Sequence, residues 1–297
     1  MNQENLFSQG IWNDFKAHFK SITTEASYRT DICEIMNYFQ KDFFKIREVE
    51  VKEYFAVLQN KVNKGKLKPG TMAKKFRELH SFAEYVCENH EKYGIDKDYR
   101  DYYYPYLKVV AKQDKHVKAV PMEHIDRLLL AAEEDRMAYC IIVLLYRVGL
   151  TSTEIIELKP EDFVIYENGV YASIIGRREK SFIPEDVVRV IEYYIDKRKE
   201  NIFLFYNSRG NKLNPMYISR LMKKYAKKAG IPCYSAESIR NTCGVTMFSY
   251  GADSRQVAKQ MGITKVQIKR YDNVIYRDSI QKAANDLVKV KVEPPTT

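Results

Sequence analysis

Residues 237–274 read ESIRNTCGVTMFSYGADSRQVAKQMGITKVQIKRYDNV, and the fold is decided on this stretch. Ser235 stands just ahead of it as a helix cap, and Glu237 puts a carboxylate in the first turn, where the helix dipole favours it. The pattern predicts a helix over 236–250, a turn at Gly251-Ala252-Asp253, a second helix over 253–261 and a stop at Gly262. Arg240 lies on the first helix and Tyr271 closes the last segment, with no histidine between them. The five histidines are His18, His80, His90, His116 and His124, so none follows residue 124.

Working outward, the chain before this stretch changes period twice. Residues 122–132 are amphipathic and helical, and 137–148 are apolar nearly all round, which predicts a buried central helix. Thr151 and Ser152 cap a short helix over 152–158, stopped by Pro160. The period then falls to two over 163–165, 170–175 and 181–183, which predicts three short antiparallel strands with turns at 167–169 and 176–180. Helices follow over 185–198 and 215–229, with a last one over 277–289. Residues 1–112 read as almost entirely helical, broken by a basic loop over 61–70 and an irregular aromatic stretch over 101–106, with Thr71 capping a helix that carries Met72, Phe76, Leu79, Phe82 and Val86 on one face. The expected organisation is a helical domain over 1–112, a linker over 113–119 and a second domain over 120–297. The tyrosines at 102–106 read as packing between the two domains rather than as a base-stacking patch. The fold class is mainly α (α+β).

The 297 residues carry a formal charge of +10, which favours a polyanionic partner, nucleic acid ahead of an acidic membrane. The five cysteines are scattered with no CxxC pair, so they read as reduced small hydrophobes, with neither a metal site nor a disulfide framework. No signal-peptide pattern opens the chain, and its longest apolar run, 137–145, is too short to span a bilayer. A cytoplasmic, nucleoid-associated protein with no membrane partner and no small-molecule substrate is expected.

Several of these segments, in this order, resemble the tyrosine recombinase (phage integrase) family over nearly the whole chain. Residues 144–154, LLYRVGLTSTE, resemble the family's first box; 174–184, from Ile174-Ile175-Gly176-Arg177 to Pro184, resemble its lysine-bearing hairpin; Ser238-Ile239-Arg240-Asn241-Thr242 and Gly251-Ala252-Asp253 resemble the second box. The resemblance implies a helical core-binding (SAM-like) domain followed by a recombinase-fold domain with a small three-stranded sheet, closing on duplex DNA as a clamp. It also implies cofactor-free phosphoryl transfer. A tyrosine attacks a DNA phosphate, two arginines clamp the phosphate oxygens, a lysine protonates the leaving oxygen, and histidines move protons. Tyr271, Arg240, Arg177 and Lys180 are the candidate catalytic residues it marks.

The chain departs from that set at several positions. The first arginine falls at Thr151, which cannot grip a phosphate with two parallel donors. The lysine position holds Arg177, which does not release a proton near neutral pH, with Lys180 nearby. The histidine positions hold Glu237 and Ile263, and the interval from Gly262 to Tyr271 is one residue shorter than the family's. Losing one charge-stabilising donor lowers a rate roughly 100- to 1,000-fold, and losing a general acid or base about 100- to 10,000-fold. Arg147, one turn before Thr151, is a candidate replacement arginine.

The expectation is therefore sequence-specific binding of double-stranded DNA on a catalytically degenerate scaffold, as a regulator or repressor of phage or mobile-element origin. The alternative is an active recombinase that uses Tyr271. The candidate DNA-binding residues are Lys64, Lys66, Lys68, Lys74, Lys75 and Arg77 in the first domain. In the second they are Arg177, Arg178, Lys212, Arg220, Lys223, Lys224 and Arg240. The helix over 277–289 either joins a neighbouring copy or folds back on its own domain.

Overall fold

The computed structural model describes residues 6–7, 10–19, 22–110, 117 and 119–271. The chain divides into two units, Met1–Asp114 and Lys115–Thr297. The first holds α1 (Gly10–Lys16), α2 (Ile22–Phe39), a 3-10 turn (Phe43–Lys45), α3 (Glu48–Asn63), α4 (Pro69–Glu88), α5 (His90–Tyr93) and α6 (Tyr104–Val110). Helix α4 starts two residues ahead of the expected cap Thr71, because Pro69 takes the first helical position, where its fixed φ suits the helix and its missing N–H is no loss. Its buried face is the one the periodicity marks: Met72, Phe76, Leu79, Phe82, Ala83 and Val86.

The tyrosines at 102–106 pack differently from the sequence expectation. Tyr103 stacks on Phe43 at 5.7 Å, and Tyr106 meets Phe55 at 4.5 Å, so both rings join the core of their own domain. The reason is local. Asp101 accepts hydrogen bonds from the Tyr103 and Tyr104 N–H groups, which starts α6 and puts residues 103 and 106 on its inner face.

The second unit opens with α7 (Met122–Ala132) and α8 (Arg136–Val143), the latter capped by the Asp135 carboxylate on the Ala138 N–H. The helix expected over 137–148 does not run through: Leu144–Val148 widens into a π turn that ends on Gly149 at φ +75°. Then come α9 (Ser152–Glu157), β1 (Phe163–Tyr166), β2 (Gly169–Ala172) and β3 (Ser181–Ile183), antiparallel in the order β1-β2-β3. Strand β2 ends at Ala172 rather than 175: the Ser173 N–H still bonds the Asp162 carbonyl in the same register, but Asp162 belongs to the 3-10 turn Pro160–Asp162, so β1 offers no partner beyond it. Next are α10 (Glu185–Lys197), α11 (Pro215–Ala229), α12 (Ala236–Ser249), α13 (Ser254–Met261) and α14 (Lys265–Ile268).

Helix α12 lies between two apolar clusters. The large one gathers α7 to α11 around Ile141, Leu145, Ile183 and Met222. The small one joins Val117, Val245, Val257, Met261, Ile268 and Tyr271. The helix expected over 277–289 lies outside the described residues, as does most of the linker. Among the described residues no helix is long and apolar enough to cross a membrane.

Candidate functional site

Helix α12 carries Arg240 inward. Its start is fixed by Ser235, whose hydroxyl accepts from the Ser238 N–H at 3.0 Å. The Arg240 side chain is 7% exposed and spreads its donors over three acceptors. Nε donates to the Gly149 carbonyl at 2.9 Å, Nη2 to the Met261 carbonyl at 2.8 Å, and Nη1 to the Glu237 carboxylate at 3.2 Å. The two carbonyls end the π turn and α13, where backbone acceptors lack partners within the helix and carry partial negative charge. Arg240 thereby joins two helix ends.

Thr151, at the position of the missing arginine, caps α9. Its hydroxyl accepts from the Glu154 N–H at 3.2 Å, and Glu154 accepts in return from the Thr151 N–H at 2.7 Å. The same carboxylate receives Arg177 side-on, with Nε to Oε1 at 2.6 Å and Nη2 to Oε2 at 2.7 Å. The remaining Arg177 nitrogen donates to the Ser181 hydroxyl at 2.8 Å and the Gln260 carbonyl at 2.6 Å. Burial pushes the Glu154 carboxyl up, but the bonds from Arg177 and Thr151 outweigh it and hold it below the usual carboxylate range. The guanidinium lies flat on Gly262, where an added Cβ would come within 2.5 Å of Nε. Gly262 also ends α13 at φ +64°, so two requirements meet at one glycine.

Tyr271 is 4% exposed and belongs to the small cluster. Gly244 makes room for it, since a Cβ there would lie 2.9 Å from the Tyr271 ring and 2.5 Å from the Met261 sulfur. The hydroxyl donates to the Asn241 amide oxygen at 2.5 Å. Burial raises the Tyr271 pKa, and the nearby Arg240 charge opposes that without reversing it. On the other side of the segment, the Val117 N–H bonds the Arg270 carbonyl at 3.0 Å. Tyr271 is thus a neutral, packed phenol whose hydrogen-bond acceptor is an amide, which cannot take its proton.

The other candidates separate by exposure. Lys180 donates to the Tyr166 hydroxyl at 2.6 Å, and Arg147 pairs with Asp186 at 3.0 Å. Lys75 is buried between Asp31 at 2.7 Å and Glu34 at 2.6 Å, and Lys74 pairs with Glu78 at 3.2 Å. Lys212 pairs with Glu157. Lys224 donates to the Tyr225 hydroxyl at 3.0 Å. Lys64, Lys66, Lys68, Arg77, Arg178, Arg220 and Lys223 are exposed and form no ion pair with a described residue. Three residues at the site carry roles that sequence reasoning did not assign. The first two are Glu154, the partner of Arg177, and Asn241, the partner of Tyr271. The third is Gln260, whose amide bonds both the N–H and the carbonyl of Phe182. Only Glu154 left a signal, the Thr-x-x-Glu spacing of a capping box.

The chain is 23% identical over 259 residues to tyrosine recombinase XerC of Staphylococcus aureus, a match covering 80% of this chain and 81% of that one. Its fold matches the XerH site-specific recombinase bound to a palindromic difH substrate, in a post-cleavage complex. The TM-score is 0.67 and the identity 17%, over 89% of this chain and 80% of that one. It also matches the Tn1549 transposon integrase in complex with transposon right end DNA, with a TM-score of 0.66 and 16% identity over 93% and 97% of the two chains. The model of the phage integrase N-terminal SAM-like domain matches residues 8–92. The phage integrase family model matches residues 118–276, more than half of the sequence, and the chain belongs to the phage integrase family.

Proposed function

We propose that this protein binds a specific double-stranded DNA site without cutting it and acts by occupying that site, as a regulator of transcription. One observation carries the reading: Arg240, at the one clamping position that keeps its arginine, and Arg177, at the lysine position, are both committed to acceptors inside the protein. Arg240 is held by two helix-end carbonyls and Glu237, and Arg177 by the Glu154 carboxylate, Ser181 and Gln260. A phosphate entering this site would meet the exposed Glu237 carboxylate, with the donors of both guanidinium groups already bonded within the protein. The Tyr271 hydroxyl donates to the Asn241 amide oxygen, which cannot take its proton. Duplex DNA as the partner is supported by the family, by the relatives whose structures contain DNA, and by exposed cations on both units.

A second reading, strand cleavage by Tyr271, is favoured by the Arg240 charge that bears on the Tyr271 hydroxyl and by relatives named as recombinases. A nicked suicide duplex of the protein's own genomic site, found by crosslinking, separates the two. The expected result is a retarded complex with no covalent protein–DNA adduct, unchanged by Tyr271→Phe. An adduct from the parent protein that disappears in Tyr271→Phe would overturn the proposal in favour of the second reading.

A further inference from the structure

The outer face of the three-stranded sheet is aromatic. The register sets Tyr171 opposite both Val164 and Phe182, and Tyr166 opposite Gly169, so these alternate positions share one face. Their rings form a ladder across the strands: Tyr166 to Tyr171 at 5.5 Å between centroids and Tyr171 to Phe182 at 5.4 Å, both edge-to-face. Gly169 shapes the ladder, because a Cβ there would sit 2.9 Å from the Phe182 ring. Phe182 leans across that glycine and remains 41% exposed, and Tyr166 is 46% exposed. Lys180 closes the end of the ladder, 5.0 Å above the Tyr166 ring.

This face is one wall of an open cleft of about 670 Å³. The opposite wall is the end of α12, the turn after it and one face of α13; in that turn Tyr250 is 57% exposed and Gly251 faces open space. Lys180 and Lys259 stand at the rim, Lys259 beside Glu179 at 2.5 Å. The sheet already supplies the domain core through its other face, with Ala172 and Ile183 buried, so the outer rings are not needed there.

We propose that this cleft binds an unpaired nucleotide of single-stranded or locally opened nucleic acid. The base stacks on Tyr250 and on the Tyr171–Phe182 ladder, and its phosphate lies toward Lys180 and Lys259. The chemistry selects this ligand. Aromatic faces on both walls accept a planar ring, and a base in a duplex presents only its edges, its faces being covered by its neighbours. An acidic peptide would engage the lysines and leave the rings unused, and Glu179 offsets one of those charges. The volume lies within the range that holds a molecule of nucleotide size. The proposal goes beyond duplex binding and does not rest on it.

The test uses the full chain and a fluorescent single-stranded octamer carrying 5-iodouracil, with excess unlabelled random duplex present. Saturable binding is expected, with photo-crosslinks mapping to Tyr171, Phe182 or Tyr250. Tyr250→Ala should weaken it roughly 5- to 150-fold, the stacking contribution of one base, while Tyr250→Phe retains it. Phe182→Leu, which keeps an apolar side chain over Gly169, should lose the same binding, with duplex retention unchanged in all three variants. Crosslinks outside the cleft, no saturable single-strand binding, or equal binding by the parent and Tyr250→Ala would overturn the proposal. Single-strand binding with the expected variant pattern would uphold it even if the protein retains no duplex.

Discussion

Glu154 does more at this site than the residues that drew attention to it. It returns the cap to Thr151 and, with both its oxygens, takes the Nε–Nη2 edge of a guanidinium side chain that is 5% exposed, while being 14% exposed itself. Removing its charge leaves Arg177 buried without its counter-ion, so Glu154→Gln should destabilise the domain by about 3–5 kcal/mol, read from urea unfolding midpoints. The pH dependence has a definite sign. The folded Glu154 carboxyl is held below its usual range, so its contribution is complete above about pH 4.5 and fades as pH falls toward the lower folded value. The parent should lose stability through that acid window faster than Glu154→Gln does, and parallel acid profiles would show that the pair contributes nothing. The sequence disclosed half of this arrangement. Thr151 and Glu154 are three residues apart, and a cap is a local event that spacing reveals. Arg177 was legible as a cation near the site but not in its direction, because its acceptors lie 23 residues before it at Glu154 and 83 after it at Gln260.

At the scale of elements, helix α12 works through what it lacks. Gly244 sits mid-helix, where alanine would raise helix propensity by about 1 kcal/mol. Here the new methyl would come within 2.5 Å of the Met261 sulfur and 2.9 Å of the Tyr271 ring. Met261 can swing aside, but the ring is held by Asn241 and by packing in the small cluster. Overpacking of about 1–3 kcal/mol should therefore exceed the helix gain, leaving Gly244→Ala less stable by about 1 kcal/mol and its Tyr271 segment cut faster in limited proteolysis. A stabilised variant with unchanged proteolysis would mean that the Tyr271 ring does not rest on α12. The extents of α12 and α13 were readable from Ser235, Asp253 and Gly262, since caps and left-handed stops are written in residue type. The π turn was not, because residues 137–148 are apolar on every side and periodicity says nothing about how tightly such a segment is wound. That turn matters, since its last carbonyl, on Gly149, is an anchor of Arg240.

Across the whole molecule, the excess of +10 is distributed unevenly in its availability. Lys75 is spent inside the first unit on Asp31 and Glu34, whereas Lys64, Lys66 and Lys68 in the loop before α4 are exposed. In the second unit Arg220 and Lys223 stand exposed on α11, while Lys212 is paired with Glu157. A charge count treats these lysines alike, and DNA does not. Binding that engages about six phosphates should weaken on the order of 1,000-fold between about 50 and 200 mM salt, because each neutralised phosphate releases a counterion. Arg220→Ala and Lys223→Ala should each weaken binding similarly on every duplex sequence and lower the slope of log affinity against log salt by about 0.9, the share of one phosphate. Lys75→Met should leave that slope unchanged while lowering stability by about 3–5 kcal/mol, since it takes the nearest counter-ion from the buried Asp31 carboxylate. Retardation assays across a salt series, paired with urea melts of the same variants, read both quantities. A slope that responds to Lys75 and not to Lys223 would mean that the exposed cations of α11 face away from the DNA and that the buried network opens when DNA binds.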